Sequence, residues 1–294
     1  MAKIAFIGLG NMGGPMCARL VGAGYDVIAY DVNDAALNQV VDLGAERGRS
    51  SIECAHSADL LLTSLPKPEH VQSVMADALA HMHSGSIWVD LTTNRRELLD
   101  SLAASAPDGV AVLDSPVTGA VDGARNGKLT LFIGGDDASV SKVTPILGNL
   151  GKVIHCGPRG TGTVVKLVTN QLWFIAAAAL GEGFAVGIAN GVELRTLWES
   201  ILNSVGDSFV ARHDAPSIFA GHYDPSFSLG LCLKDLALIR ELSTGVGADL
   251  PMTRAATHAF EVAAERYGME AAELDRKSTR LNSSHEWISR MPSS

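Results

Sequence analysis

Ile4-Ala5-Phe6-Ile7-Gly8-Leu9-Gly10-Asn11-Met12-Gly13 is the stretch whose reading decides the fold. A short apolar run, read as a buried strand, leads into a G-x-G-x-x-G, and Cys17, Leu20 and Val21 then fall at helical spacing. A glycine fingerprint between a strand and a helix has a mechanical reading. The first glycine allows the tight turn, the second lets a pyrophosphate approach backbone N–H groups at the helix N-terminus, and the third lets helix pack on strand. Gly8, Leu9, Gly10, Asn11, Met12 and Gly13 are therefore candidate cofactor-binding residues. Such a site also needs an acid about 20 positions later to accept from the adenosine ribose hydroxyls, and Asp31 stands there. The residues after it, Val32-Asn33-Asp34, supply no cation for a 2′-phosphate, which favours NAD. Arg47 to Arg49 leave NADP open.

Outward from this stretch, short apolar runs alternate with helical-period segments. Lys3 to Ile7, Asp26 to Tyr30, Asp59 to Ser64, Ser86 to Leu91, Val110 to Asp114, Leu129 to Ile133 and Val153 to Cys156 are strand candidates. The alternation predicts an α/β Rossmann-type, doubly wound sheet covered on both faces, over residues 1–162. Gly157-Pro158-Arg159-Gly160-Thr161-Gly162 ends the pattern. Residues 163–275 read as an all-α domain, with helices at Thr163 to Asn190, Glu193 to Ser204, Leu236 to Gly245 and Met252 to Tyr267. Residues 276–294 turn polar and Ser-rich, with four Lys or Arg from Arg276 onward, and are expected to be disordered. This tail resembles a translated cloning-adapter sequence and takes no part in the fold reading.

Composition agrees with this division. The 294 residues, 47% hydrophobic and 19% charged, suffice for two domains. A net charge of -9 argues against nucleic acid and anionic membranes, both of which need clustered positive charge, and favours a small-molecule ligand. Cys17, Cys54, Cys156 and Cys232 lie far apart, without metal-ligand spacing, and read as buried reduced thiols. The run after Met1-Ala2-Lys3 is too short for a signal peptide, so a cytoplasmic location is expected. Val164 to Gly191 is strongly apolar but interrupted by Lys166, Asn170, Gln171, Glu182 and Asn190, so it reads as a buried helix rather than a membrane span. Its apolar residues cover more than one face, which points to a homodimer or homotetramer; burial within its own helical domain is the alternative.

Lys166 and Asn170 are four residues apart on that helix, so their side chains leave by one face. Apolar neighbours and the positive end of the helix dipole both disfavour an ammonium there, which suits a proton-transfer group near neutral pH. A lysine snorkelling to the surface is the plainer alternative.

Four ordered motifs resemble the 3-hydroxyisobutyrate dehydrogenase family of β-hydroxyacid dehydrogenases, relatives of 6-phosphogluconate dehydrogenase. They are Phe6-Ile7-Gly8-Leu9-Gly10-Asn11-Met12-Gly13-Gly14-Pro15-Met16, Asp114-Ser115-Pro116-Val117-Thr118-Gly119, Gly160-Thr161-Gly162-Thr163-Val164-Val165-Lys166-Leu167-Val168-Thr169-Asn170, and Phe227-Ser228-Leu229-Gly230-Leu231-Cys232-Leu233-Lys234-Asp235. The resemblance implies Lys166 as acid–base, Asn170 as a catalytic and substrate-orienting residue, and Thr118 with the Gly119 backbone as the carboxylate site. It further implies that Lys234 closes over the cofactor, and that Thr93, Leu65 and Pro66 line the nicotinamide side. The family's serine is replaced here by Thr118, whose extra methyl narrows the pocket. Its proline is replaced near Arg96, so that Arg95 or Arg96 could pair a second acidic group; two solvated arginines opening a helix are the plainer reading. The family's final helix is expected after Tyr267-Gly268, where this chain soon departs into its polar tail. The implied reaction is hydride transfer between NAD(P) and a small 3-hydroxyacid or its semialdehyde, with tartronate semialdehyde reduction as an alternative. An imine reductase and a non-catalytic dinucleotide-binding scaffold are the alternatives of other classes; both are expected to lack Lys166.

Overall fold

The computed structural model describes residues 2–220 and 227–271. The expectations for residues 276–294, and for a final helix beyond the first few residues after Gly268, lie outside the described residues. The chain divides into two compact units, one ending at Leu167 and one beginning at Val168.

The first unit runs β1 (Ile4–Ile7), α1 (Gly13–Gly22), β2 (Val27–Tyr30), α2 (Asp34–Val41), β3 (Glu46–Arg47), α3 (Ser51–Ser57), β4 (Leu60–Thr63), α4 (Pro68–Ala78), β5 (Ile87–Asp90), α5 (Arg96–Ala104), β6 (Ala111–Asp114), β7 (Val117–Thr118), α6 (Ala120–Asn126), β8 (Leu129–Gly134), α7 (Asp137–Leu147) and β9 (Gly151–Gly157). The sheet order is β3-β2-β1-β4-β5-β6-β8-β7, with β9 also on β8. β8 meets β6 and β7 antiparallel; the other pairings are parallel. Alternate strand residues enter two different cores, as a period of two requires. Ile4, Phe6, Val27, Leu60, Leu62 and Val89 pack under α1, α2, α6 and α7. Ala5, Ile7, Ile28, Leu61, Trp88 and Val112 pack under α3, α4 and α5. This is the doubly wound sheet that the strand–helix alternation predicts. β3 and β7 were not among the strand candidates, because two-residue strands carry no periodic signal.

α8 (Thr161–Ala189) begins in the first unit and continues into the second. Its entry is fastened to the sheet by Asp114, whose Oδ1 accepts from Gly160 N and whose Oδ2 accepts from Thr163 N, each at 2.6 Å. The unit boundary therefore falls inside α8, past the Gly157–Gly162 turn where the sequence pattern changes.

In the second unit α8 is followed by α9 (Leu194–Leu202), a π-helical turn (Val210–Asp214), α10 (Ala215–Phe219), α11 (Leu229–Val246) and α12 (Pro251–Tyr267). Ala177, Leu180 and Phe184 of α8 form a core with Leu194, Val210, Ala215 and Ile218. Phe174 meets Phe260 edge-on, ring centroids 5.1 Å apart. The segment Val210–Phe219 was not expected as helix. Its π turn matches no 3.6-residue period, and it is fixed by distant partners: Trp173 Nε1 donates to Asp214 Oδ2 and Trp198 Nε1 to the Ala211 carbonyl, both at 2.8 Å. α11 starts at Leu229, ahead of the expected Leu236, because Ser228 Oγ caps it by accepting from Leu231 N.

The expectation of a buried helix at Val164 to Gly191 needs correcting. By length and composition α8 could cross a membrane, yet Val168, Leu172 and Val186 are 42%, 63% and 64% exposed. One chain covers only part of an apolar surface that wraps the helix. The thiol expectation is corrected at one position: Cys17, Cys54 and Cys232 are buried thiols outside any disulfide, but Cys156 on β9 is half-buried.

Candidate active site

The glycine loop follows β1 at the point where strand order reverses between β1 and β4, the place where open parallel sheets leave a crevice for ligands. Each glycine has its own steric reason. Gly8 has φ 92° and donates to the Tyr30 carbonyl at 3.0 Å, and a Cβ on it would lie 2.3 Å from the Ser64 carbonyl oxygen. A Cβ on Gly13 would lie 1.9 Å from the Gly8 carbonyl oxygen. A Cβ on Gly10 would meet nothing within 4 Å, so the missing side chain there leaves open room against the loop. No side chain caps the N-terminus of α1 and no acid occupies its first turn, which leaves its backbone N–H groups for an anion. These features fit a dinucleotide pyrophosphate.

Asp31, just past β2, does more than the spacing implied. Its Oδ2 accepts from Leu9 N at 2.6 Å and its Oδ1 from Asn33 N at 2.7 Å, so it braces the glycine loop. With about four lone-pair positions, the carboxylate keeps capacity for ribose hydroxyls. The neighbouring arginines are engaged locally: Arg47 with Asp34 at 3.1 Å and with Asn38, Arg49 with Glu53.

Behind β4 and β5 lies a buried network that sequence reasoning did not single out. Asp90, fully buried, accepts from Thr63 Oγ1 at 2.8 Å, Asn94 Nδ2 at 2.7 Å and Thr92 N at 3.1 Å. Trp88 Nε1 donates to Thr63 Oγ1 at 3.0 Å, and Leu65 N donates to Thr92 Oγ1 at 3.0 Å. Burial pushes the Asp90 carboxyl above the ordinary aspartate range, against the pull of the Asn94, Thr92 and Thr63 hydrogen bonds. The network joins the two loops that carry Leu65-Pro66 and Thr93. Leu65 and Thr93 are half-buried and Pro66 exposed. Arg95, the residue before α5, pairs with Glu69, and Arg96 opens α5 with Asp100 3.8 Å away, so both have acidic partners of their own.

Thr118 and Gly119 stand apart in the turn from β7 to α6. Thr118 ends a two-residue strand opposite Thr130, and Gly119 has φ 125°. Ala120 follows at φ 53°, the one non-glycine among the described residues in the left-handed region, at a cost of roughly 1–2 kcal/mol. Strain of this kind collects at ligand-holding turns.

Lys166 and Asn170 are 7% and 6% exposed and one turn apart on α8. In the second unit, Asn170 Nδ2 donates to Asp235 Oδ2 at 2.7 Å, and Lys234 Nζ stands 3.1 Å from Asp235 Oδ1. Asp235 is 1% exposed and ties two of the candidate residues together. It closes the fourth motif but had no role assigned to it. A charged residue six places beyond the start of an apolar helix was the available signal.

A fingerprint glycine loop, an acid past β2 and a buried lysine on the long helix define the class: an NAD(P)-dependent dehydrogenase on a Rossmann-type sheet followed by a helical unit. Residues 3–157 match the NAD binding domain of 6-phosphogluconate dehydrogenase, and residues 160–275 match the NAD-binding domain of NADP-dependent 3-hydroxyisobutyrate dehydrogenase. The chain is 33% identical to an NAD-dependent L-serine dehydrogenase of Pseudomonas aeruginosa, over 86% of this chain and 89% of that protein. It is also 33% identical to a 3-hydroxyisobutyrate dehydrogenase of the same organism, over 90% of this chain and 93% of that protein. The structure of Mycobacterium tuberculosis 3-hydroxyisobutyrate dehydrogenase with L-serine superposes with a TM-score of 0.88 at 29% identity, covering 97% of this chain and 99% of that one. The chain belongs to the 3-hydroxyisobutyrate dehydrogenase family of β-hydroxyacid dehydrogenases.

Proposed function

We propose that this dehydrogenase moves a hydride between NAD and the carbinol carbon of a small 3-hydroxyacid, with Lys166 as the proton-transfer residue. The observation that carries this reading is a lysine 7% exposed on α8, with a buried amide, Asn170, one turn further along the same helix. The nicotinamide supplies the hydride acceptor for oxidation and the hydride donor for reduction. During oxidation the Lys166 amine takes the hydroxyl proton as the carbon–hydrogen bond breaks and the carbonyl forms; during reduction the ammonium returns it. Asn170, oriented by Asp235, hydrogen-bonds the substrate. Thr118 and the Gly119 N–H hold its carboxylate, in a turn whose Ala120 is already strained into place. Leu65, Pro66 and Thr93 line the nicotinamide side, and Lys234 covers the cofactor. Asp31 and the local pairing of Arg47 and Arg49 favour NAD over NADP.

The similarity to proteins named for L-serine and for 3-hydroxyisobutyrate supports a carboxylate with a hydroxyl on its third carbon. The test follows reduced-nicotinamide absorbance with NAD or NADP and a panel of L-serine, 3-hydroxyisobutyrate, 2-hydroxyacids, tartronate semialdehyde and cyclic imines. NAD-dependent oxidation of a 3-hydroxyacid is expected. Turnover of tartronate semialdehyde alone moves the assignment to that reductase, turnover of imines alone sinks the hydroxyacid reading, and cofactor binding without turnover points to a scaffold.

The same reading makes the active species a homodimer or homotetramer, with a second copy covering the exposed Val168, Leu172 and Val186 of α8. Light scattering of the purified protein at the mass of a single chain would overturn this.

A further inference from the structure

We propose that Asp114 is a positioning residue for Lys166; the inference rests on the reading of Lys166 as the acid–base group. Asp114 ends β6, is fully buried, and gives one oxygen to each of two backbone N–H groups at the start of α8, Gly160 to Oδ1 and Thr163 to Oδ2, both at 2.6 Å. Only a carboxylate can do this. A serine has one oxygen to offer, and an asparagine would point its own N–H groups at one of the two donors. The arrangement is a helix cap supplied from a strand 46 residues away, and it puts a negative charge at the positive end of the helix.

The surroundings leave the joint no slack. A Cβ on Gly134 would lie 2.4 Å from Asp114 Oδ1. A Cβ on Gly162 would lie 2.0 Å from the Phe132 carbonyl oxygen and 3.0 Å from Asp114 Oδ2. β6, β8 and the first turn of α8 thus approach to backbone contact around one carboxylate. Lys166 follows Thr163 by three residues, close to one helical turn, so the direction in which its side chain leaves is set where that turn is pinned. The side-chain hydrogen bonds of Asp114 run to the start of α8, and it acts through that helix.

Asp114→Asn keeps the shape and spoils one prong of the clamp. Since a misplacement of about 1 Å can cost about 100-fold in rate, a fall in kcat of roughly 10- to 100-fold is expected, with NADH affinity unchanged because the glycine loop and Asp31 lie elsewhere. The deciding measurement uses Lys166→Ala with added methylamine, whose free amine needs no helix to place it. If Asp114 works through Lys166, adding Asp114→Asn to that variant leaves the amine-dependent rate where it was. A further fall as large as in the wild-type background would show a general structural effect and overturn the proposal, as would wild-type kcat in Asp114→Asn itself. Should Asp114→Asn fail to bind NADH as a folded protein does, Thr163→Pro removes the donor to Oδ2 within the first helical turn, where proline is tolerated, and the same outcomes apply. Lys166→Ala alone at wild-type kcat would sink the lysine reading first, before Asp114 is changed.

Discussion

Lys166→Ala is expected to lower kcat by roughly 10²- to 10⁴-fold, the usual worth of a positioned proton-transfer group, while the folded protein still binds NADH with wild-type affinity. The separation follows from the fold. The glycine loop and Asp31 lie at the ends of β1 and β2, whereas Lys166 sits on α8. Lys166→Arg should not restore the rate, because a guanidinium does not give up its proton in this pH range. Stopped-flow absorbance for hydride transfer and fluorescence titration for NADH read the two quantities separately. A Lys166→Ala enzyme within tenfold of wild type would remove the lysine from the chemistry.

The second large effect is a contrast between two glycines. Gly13→Ala places a Cβ 1.9 Å from a backbone oxygen of Gly8, so α1 must move off β1. Overpacking of this kind costs about 1–3 kcal/mol, and the melting temperature should fall with and without cofactor. NAD affinity should drop by roughly 10- to 100-fold, since about 1.4 kcal/mol is tenfold. Gly10→Ala meets no protein atom within 4 Å, so the melting temperature without cofactor should stay unchanged and only NAD binding should weaken. Calorimetric melts with and without NAD distinguish the two. Equal thermal losses for both variants would mean that Gly10 serves the fold rather than the ligand.

Much of this was legible in residue order. β1, β2, β4, β5, β6 and β8 appear as apolar runs because strands covered on both faces must be apolar throughout, while β9, partly exposed along its length, showed only through Val153 to Cys156. The glycine loop and Asp31 were readable because their spacing is imposed by one strand–turn–helix unit, where neighbours in sequence are neighbours in space. The same locality made Lys166 and Asn170 visible as a pair on one helix face.

The carboxylates that hold the site were not legible as such. Asp90, Asp114 and Asp235 look in the sequence like any acid at the end of a strand or within a helix, and each holds a partner distant in the chain, Thr63, Gly160 and Asn170, that lies 27, 46 and 65 residues away. Nor could the sequence say that Asp31 spends hydrogen bonds on Leu9 and Asn33, that Arg47 and Arg49 are engaged locally, or that α8 keeps Val168, Leu172 and Val186 exposed. Periodicity and spacing by themselves determined the sheet, the dinucleotide loop and the helix that bears the lysine, because those depend on short-range geometry. Which acids are buried, and which backbone donors they clamp, was decided only in the tertiary structure, since burial and long-range hydrogen bonds exist only once strands and helices distant in sequence are brought together.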